Sequence, residues 1–233
     1  MRRSRALGLG LLLLAAGTQL SAATLISEGF TDVTTLAGDG WVVINNSAPI
    51  GTDSWFQGNT GVFNAQSGPA DAYIAANFLS AAASGNVSNW LISPVITFSY
   101  STGISFYTRT ESPQLFADSL ELRLSTNGAS TDVGASDSSV GDFTTLILSV
   151  NPLLNQTGYP GSWTHVTAVL NPFVGTVSGR LALRYLVPDT STNGNYIGVD
   201  TFKVEAVPEP ATFGLMAAGF GAILLRRLRR QCK

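Results

Sequence analysis

Hydrophobic and polar residues alternate one for one through much of the middle of this chain. In Ser119-Leu120-Glu121-Leu122-Arg123-Leu124-Ser125 the three leucines fall on one side, Glu121 and Arg123 on the other. Arg180-Leu181-Ala182-Leu183-Arg184-Tyr185-Leu186 repeats the pattern, with Leu181, Leu183 and Tyr185 together. A period of two belongs to a β-strand with one buried and one wet face. Such runs predict strands at 41–44, 72–77, 90–92, 104–109, 119–125, 144–148, 163–170, 179–186 and 196–205, separated by turns rich in Gly, Ser, Thr and Asn. No long helical period interrupts them. The expected fold is all-β, an antiparallel jelly-roll β-sandwich over 24–206. Within it, 127–142 is small, polar and acidic and reads as a long exposed loop.

The alternation stops at both ends. Arg2, Arg3 and Arg5 precede an apolar run over 6–16, and the small residues Ser21, Ala22 and Ala23 follow. Charge, then oil, then small residues is the order of a secretory signal helix over 1–23, with signal peptidase expected to cut after Ala23. At the other end, 207–233, Pro208, Glu209 and Pro210 come first. Proline cannot continue a ladder or a helix interior, so these residues form an extended joint. An apolar run bounded by Phe213 and Leu225 follows, then Arg226, Arg227, Arg229 and Arg230. As a transmembrane helix this run spans about 20 Å of a ~30 Å hydrocarbon layer, and snorkelling of Arg226 narrows the gap. Arginines that stay cytoplasmic put the β domain on the far side of the membrane.

The order Pro-Glu-Pro, apolar run, arginine cluster resembles the PEP-CTERM sorting signal of Gram-negative bacteria. The resemblance implies an inner-membrane intermediate, cleavage near Pro208–Pro210 by an exosortase-type protease, and delivery to the cell surface or extracellular matrix.

With the end segments set aside, 24–207 holds five basic residues against fourteen acidic ones, a balance of −9. Such a surface repels phosphate backbones and argues against nucleic-acid binding. It also favours divalent cations. The sole cysteine, Cys232, lies in the tail, so the domain can form no disulfide. At this size it can bury enough surface to fold without one.

A second resemblance runs along the domain. Glu28-Gly29-Phe30, Gly40-Trp41, Ser54-Trp55-Phe56, Tyr73-Ile74-Ala75-Ala76-Asn77 and Asn89-Trp90-Leu91-Ile92-Ser93-Pro94 come first. The stretch 118–125, Trp163, Val169-Leu170-Asn171 and Ile197-Gly198-Val199-Asp200 follow in order. This order resembles choice-of-anchor J domains, relatives of cleaved-adhesin and MAM-like jelly rolls. Asn89 departs from the Asp that family often places before Trp-Leu. The resemblance implies a structural calcium held by Glu28 and Asp200, and less directly by Asp53 and Asn77. The alternative is that these four are turn residues or solvated charges.

Catalysis is not expected. The only histidine, His165, alternates with Val166 and reads as a solvent-facing strand residue, which leaves no His/Cys device and no zinc-type site. A carboxylate pair for glycoside hydrolysis, drawn from Glu28, Asp118 and Glu121, is the remaining catalytic option. The leading expectation is a non-catalytic surface protein with an adhesive or biofilm-related role. The alternative is a carbohydrate-binding module for an exopolysaccharide or surface glycan. Trp41, Trp90 and Trp163 are expected in the core, whereas Trp55 and Phe56, set among polar and glycine residues, are the candidate exposed platform for a sugar.

Overall fold

The structure is a computed structural model and describes residues 22–207. The expected signal helix, the Pro208–Pro210 joint and the transmembrane run fall outside those residues. Among the described residues no helix is long and apolar enough to cross a membrane.

The strands are β1 (Ala23–Glu28), β2 (Val42–Asn45), β3 (Ala48–Ile50), β4 (Phe56–Gln57), β5 (Ile74–Asn77), β6 (Ala81–Ile92) and β7 (Ile96–Phe98). They continue with β8 (Ser101–Thr110), β9 (Leu120–Ser125), β10 (Thr145–Val150), β11 (Thr164–Leu170), β12 (Val177–Val187) and β13 (Tyr196–Val207). One sheet, A, runs β11-β8-β13-β5-β4 with β1 also on β13. The other, B, runs β10-β9-β12-β6-β2, with β3 on β6 and β7 on β12. Every strand pair is antiparallel. The architecture is the expected β-sandwich.

Between the sheets the alternation does what the sequence predicts. Leu120, Leu122 and Leu124 meet Leu181, Leu183 and Tyr185 from sheet B, and Phe106, Ile197, Val199, Phe202 and Val204 from sheet A. Trp41 closes one end, edge-on to Phe30 and Phe202.

The outward faces correct the expectation. Glu121, predicted to be wet, is 8% exposed, and Arg184 is 2% exposed. The segment 127–142, expected to be a long exposed loop, lies back over sheet B. Its Val133, with Phe143 just after it, is buried against Trp90, Ile92 and Ala182. Arg184 packs its guanidinium over the Trp90 ring and bonds Glu121 Oε2, Ser88 Oγ and the Asp137 carbonyl. Arg123 grips Glu121 through two nitrogens and donates to the Phe143 carbonyl. Buried charges persist only when paired and hydrogen-bonded. These are, and their covering loop hangs on them.

Sheet A is covered in the same way over part of its outer face. The segment 58–73 lays Phe63 on Tyr73 and Tyr196, with Trp163 edge-on to Phe63. Gly198 lies beneath this ring cluster, where a Cβ would come within 2.9 Å of Phe63, Trp163 and Tyr73. Arg109 holds its guanidinium 4.3 Å from the Phe63 ring centre.

Phe143→Ala is therefore expected to destabilise the domain by about 3–5 kcal/mol, the cost of emptying a buried aromatic site. Urea unfolding measures it; a change under ~0.5 kcal/mol is what a free loop would give.

Candidate functional site

Of the four residues implicated in calcium, the structure brings two together. In β13 the ladder slips between Asp200 and Lys203, and Thr201 takes a φ of +52°. That region is costly for a β-branched residue, and strain of this kind gathers at sites with a purpose. Just before the slip, Asp200 lies on the outer face opposite Tyr107, where its Oδ2 accepts the Gln66 and Ser67 amides at 2.8 and 3.1 Å. Thr201 Oγ1 reaches Asp200 Oδ1 at 3.0 Å. Across a gap, β1 ends at Glu28, whose Oε1 accepts the Phe30 amide at 2.6 Å. A cleft of about 200 Å³ separates them, lined by Ser27, Glu28, Gly29, Thr31, Ser67, Gly68, Asp200 and Thr201.

Every side chain lining this cleft that can coordinate does so through oxygen. Carboxylate, hydroxyl and carbonyl donors are the set a hard cation takes, and no nitrogen or sulfur ligand competes. Among the described residues, no group of three or more His, Cys, Asp or Glu converges on a point. The cleft offers two carboxylates with hydroxyls and carbonyls beside them, the oxygen chemistry of a hard cation. It does not fit a transition metal.

The other two implicated residues lie together elsewhere. Asn77 Nδ2 donates to Asp53 Oδ2 at 2.8 Å. Asn77 Oδ1 caps the short 3-10 turn Phe78–Ser80 by accepting the Leu79 amide. Asp53 donates its own amide to the Leu79 carbonyl. These contacts account for both residues as turn-forming groups.

The expected sugar platform is overturned. Trp55 is 7% exposed and lies in the inter-sheet core, and Phe56 turns to the opposite face and packs edge-on to Tyr196. Polar neighbours in sequence misled here, because β4 is an edge strand whose two faces both find cover. Trp41 and Trp90 are buried as expected, whereas Trp163 is only partly so and donates its indole N–H to the Asn64 carbonyl. His165 is exposed, stacked on Tyr107.

The carboxylates considered for hydrolysis have structural employment. Glu121 is held between two arginines. Asp118 is fully buried near one pole of the sandwich. It accepts Thr110 Oγ1 and Tyr185 Oη at 2.6 Å each and the Asn195 amide at 2.7 Å. Its partners lie on sheet A, on sheet B and on the 188–195 loop, so one carboxylate ties all three. No sequence signal marked this role, since its three partners are scattered along the chain.

The fold and this cleft define a class: a two-sheet jelly-roll domain with an oxygen-lined cleft near its chain ends. Comparison with known proteins places it more narrowly. The PEP-CTERM protein-sorting motif matches residues 206–230, which marks the chain for export and sorting to the cell surface. The K3 cleaved adhesin domain of Lys-gingipain (Kgp) from Porphyromonas gingivalis W83 is similar at 16% identity and a TM-score of 0.56, covering 80% of this chain and 100% of that one. The K1 domain of the same protein gives 17% and 0.54 over 80% and 99% of the two chains. The K2 cleaved adhesin domain of Lys-gingipain gives 19% and 0.51 over 78% and 99%. No curated protein matches the sequence. At these identities the likeness is one of fold.

Burial, the largest cause, raises the Asp118 carboxyl above the ordinary 3.8. A folded pKa above the unfolded one means that the native state holds the proton more tightly. The associated stability is complete below 3.8 and is lost as pH rises through the raised value. Asp118→Asn should flatten this part of the stability–pH curve between pH ~3.5 and neutrality; thermal melting of both proteins across that range measures it. Parallel curves for the two would show that Asp118 keeps its ordinary value.

Proposed function

We propose that this chain is a non-catalytic binding protein displayed outside the cell, with an adhesive or matrix-building role, released from an inner-membrane intermediate by an exosortase-type protease. The observation that carries this reading is the sorting motif at 206–230, which begins where β13 ends at Val207. The domain it delivers spends its one catalytic-looking histidine on a surface stack and its buried carboxylates on internal bonds. Signal peptidase acts at the other end, after Ala23. Ala23 pairs with Ala206, so the first and last strands of the domain start and finish side by side.

Intact mass with cell fractionation tests it. The expected species begins at Thr24, ends between 207 and 210, and is found outside the cell. Recovery of the full-length chain in the cytosol would overturn the proposal.

Within this reading, Glu28 and Asp200 hold a calcium ion that joins the β1 end to the β13 bulge. Asp200 supports it: burial raises its carboxyl, and no cationic side chain offsets its charge among the bonds it makes. A divalent ion would supply that compensation and compete with the proton. Calcium at 100 times its dissociation constant should stabilise the domain by about 2.7 kcal/mol. The gain should vanish with chelator and in Asp200→Asn. An unchanged melting midpoint on adding calcium removes the ion from the proposal.

A further inference from the structure

The cover over sheet A stops at Asp200, and the outer face beyond it is open. In register with Asp200 is Tyr107 on β8, and on its other side His165 on β11. Their rings stack at 4.7 Å between centroids and 27° between planes. One row further along, Ser105 is flanked by Thr167 and Lys203. Trp163, just before β11, and Arg109 with its Phe63 stack wall off one end. The segment carrying Gln66 and Ser67, held by Asp200, forms the adjoining lip.

We infer that this strip is a binding face for a neutral saccharide, whose ring packs against the exposed edges and free ring face of the Tyr107–His165 pair. Three observations carry it. The first is that this stack is set on an open face, while Trp41, Trp55 and Trp90 are buried. A pyranose presents an apolar C–H face to such a surface and a rim of hydroxyls to whatever surrounds it. The second is what surrounds it: Ser105, Thr167, Lys203, the Tyr107 hydroxyl and the His165 nitrogens make no side-chain hydrogen bond among the described residues. In a domain whose other polar side chains are so often engaged internally, a contiguous group turned to solvent is set to receive hydroxyls.

The third is charge, which selects the ligand. Four of the five basic residues in 24–207 are already engaged: Arg109 with the Gly161 carbonyl, Arg123 and Arg184 with Glu121, Arg180 with the Gly40 and Ser93 carbonyls. Lys203 alone is exposed and unpaired among the described residues, while eleven of the fourteen acids are not buried, Glu205 two residues further along β13 among them. Such a surface turns away polyanions, whether nucleic acid, uronate polymer or anionic lipid. An uncharged sugar chain meets no such barrier. Rows along a strand face recur every two residues, about 6.6 Å. The flat strip therefore suits an extended chain lying across it.

This inference rests on the reading of the domain as a binding module, and its test is independent of the export and calcium tests. The exported protein is titrated with cellohexaose, laminarihexaose and xylohexaose, with hexagalacturonate as the charged counterpart. Calorimetry reads the affinity, and NMR follows the ring signals of His165, the only histidine in the chain. At least one neutral hexasaccharide should bind and shift the His165 signals. Tyr107→Ala should weaken that binding roughly tenfold or more, as loss of a central aromatic contact does, while Tyr107→Phe, which keeps the ring and loses one hydroxyl, weakens it by less. No neutral binding up to about 10 mM, unmoved His165 signals, tighter binding of hexagalacturonate, or full affinity in folded Tyr107→Ala would each overturn it. If Tyr107→Ala does not fold, the His165 signals of the unaltered protein decide.

Discussion

A carboxylate on a strand bulge determines how far this protein covers itself. Asp200 collects two backbone amides of the segment that crosses sheet A. Up to that point the outer face is packed under Phe63, Tyr73 and Trp163; past it the sheet is bare. One residue thus fixes the lip of the oxygen-lined cleft and the boundary of the open aromatic strip. Its charge is expensive to bury, and two amides and a hydroxyl offset only part of that cost. A bound cation would complete the compensation, which makes the cleft and the cover two aspects of one constraint.

The same economy governs the rest of the sandwich. With no disulfide and only short turns of helix among the described residues, the domain gains its buried area by closing the outer faces of its sheets as well as the inner ones. Those outer faces carry charge, so the covering segments are fastened by polar side chains: Arg184 and Arg123 on sheet B, Tyr73, Tyr196 and Asp200 on sheet A. Asp118 does the equivalent work at one pole, binding both sheets to the 188–195 loop. The outcome for the surface is one-sided. The arginines are held in hydrogen bonds, most of the acids stay outward, and the exterior is almost without free positive charge.

Much of this was legible in the alternation. All nine segments predicted as strands are strands, because leucine and tyrosine at every second position leave little choice of face. Four strands and half of a fifth carried no such mark. The first half of β6, Ala81-Ala82-Ala83-Ser84-Gly85-Asn86, has only small residues, and β1, β3, β4 and β7 are short strands whose pairing comes from the partner strand. Alternation identifies the side of a strand and is silent about what lies on that side. Hence alternation places Glu121 outward but cannot show the cover that dries it, and the polar neighbours of Trp55 in sequence say nothing of the core it enters. Glu28 and Asp200 were paired from a resemblance at opposite ends of the domain, and the fold does bring them to one cleft. The Tyr107–His165 stack could not be read in advance, since it depends on the register between β8 and β11.

The pairing of Ala23 with Ala206 means that the domain begins and finishes on adjacent strands, about 5 Å apart across a sheet. A gene segment encoding it can be spliced into a tight surface turn of another protein with almost no distance to bridge, leaving the host's own strands undisturbed. Built this way, the unit is as suited to transposition between longer chains as to standing alone.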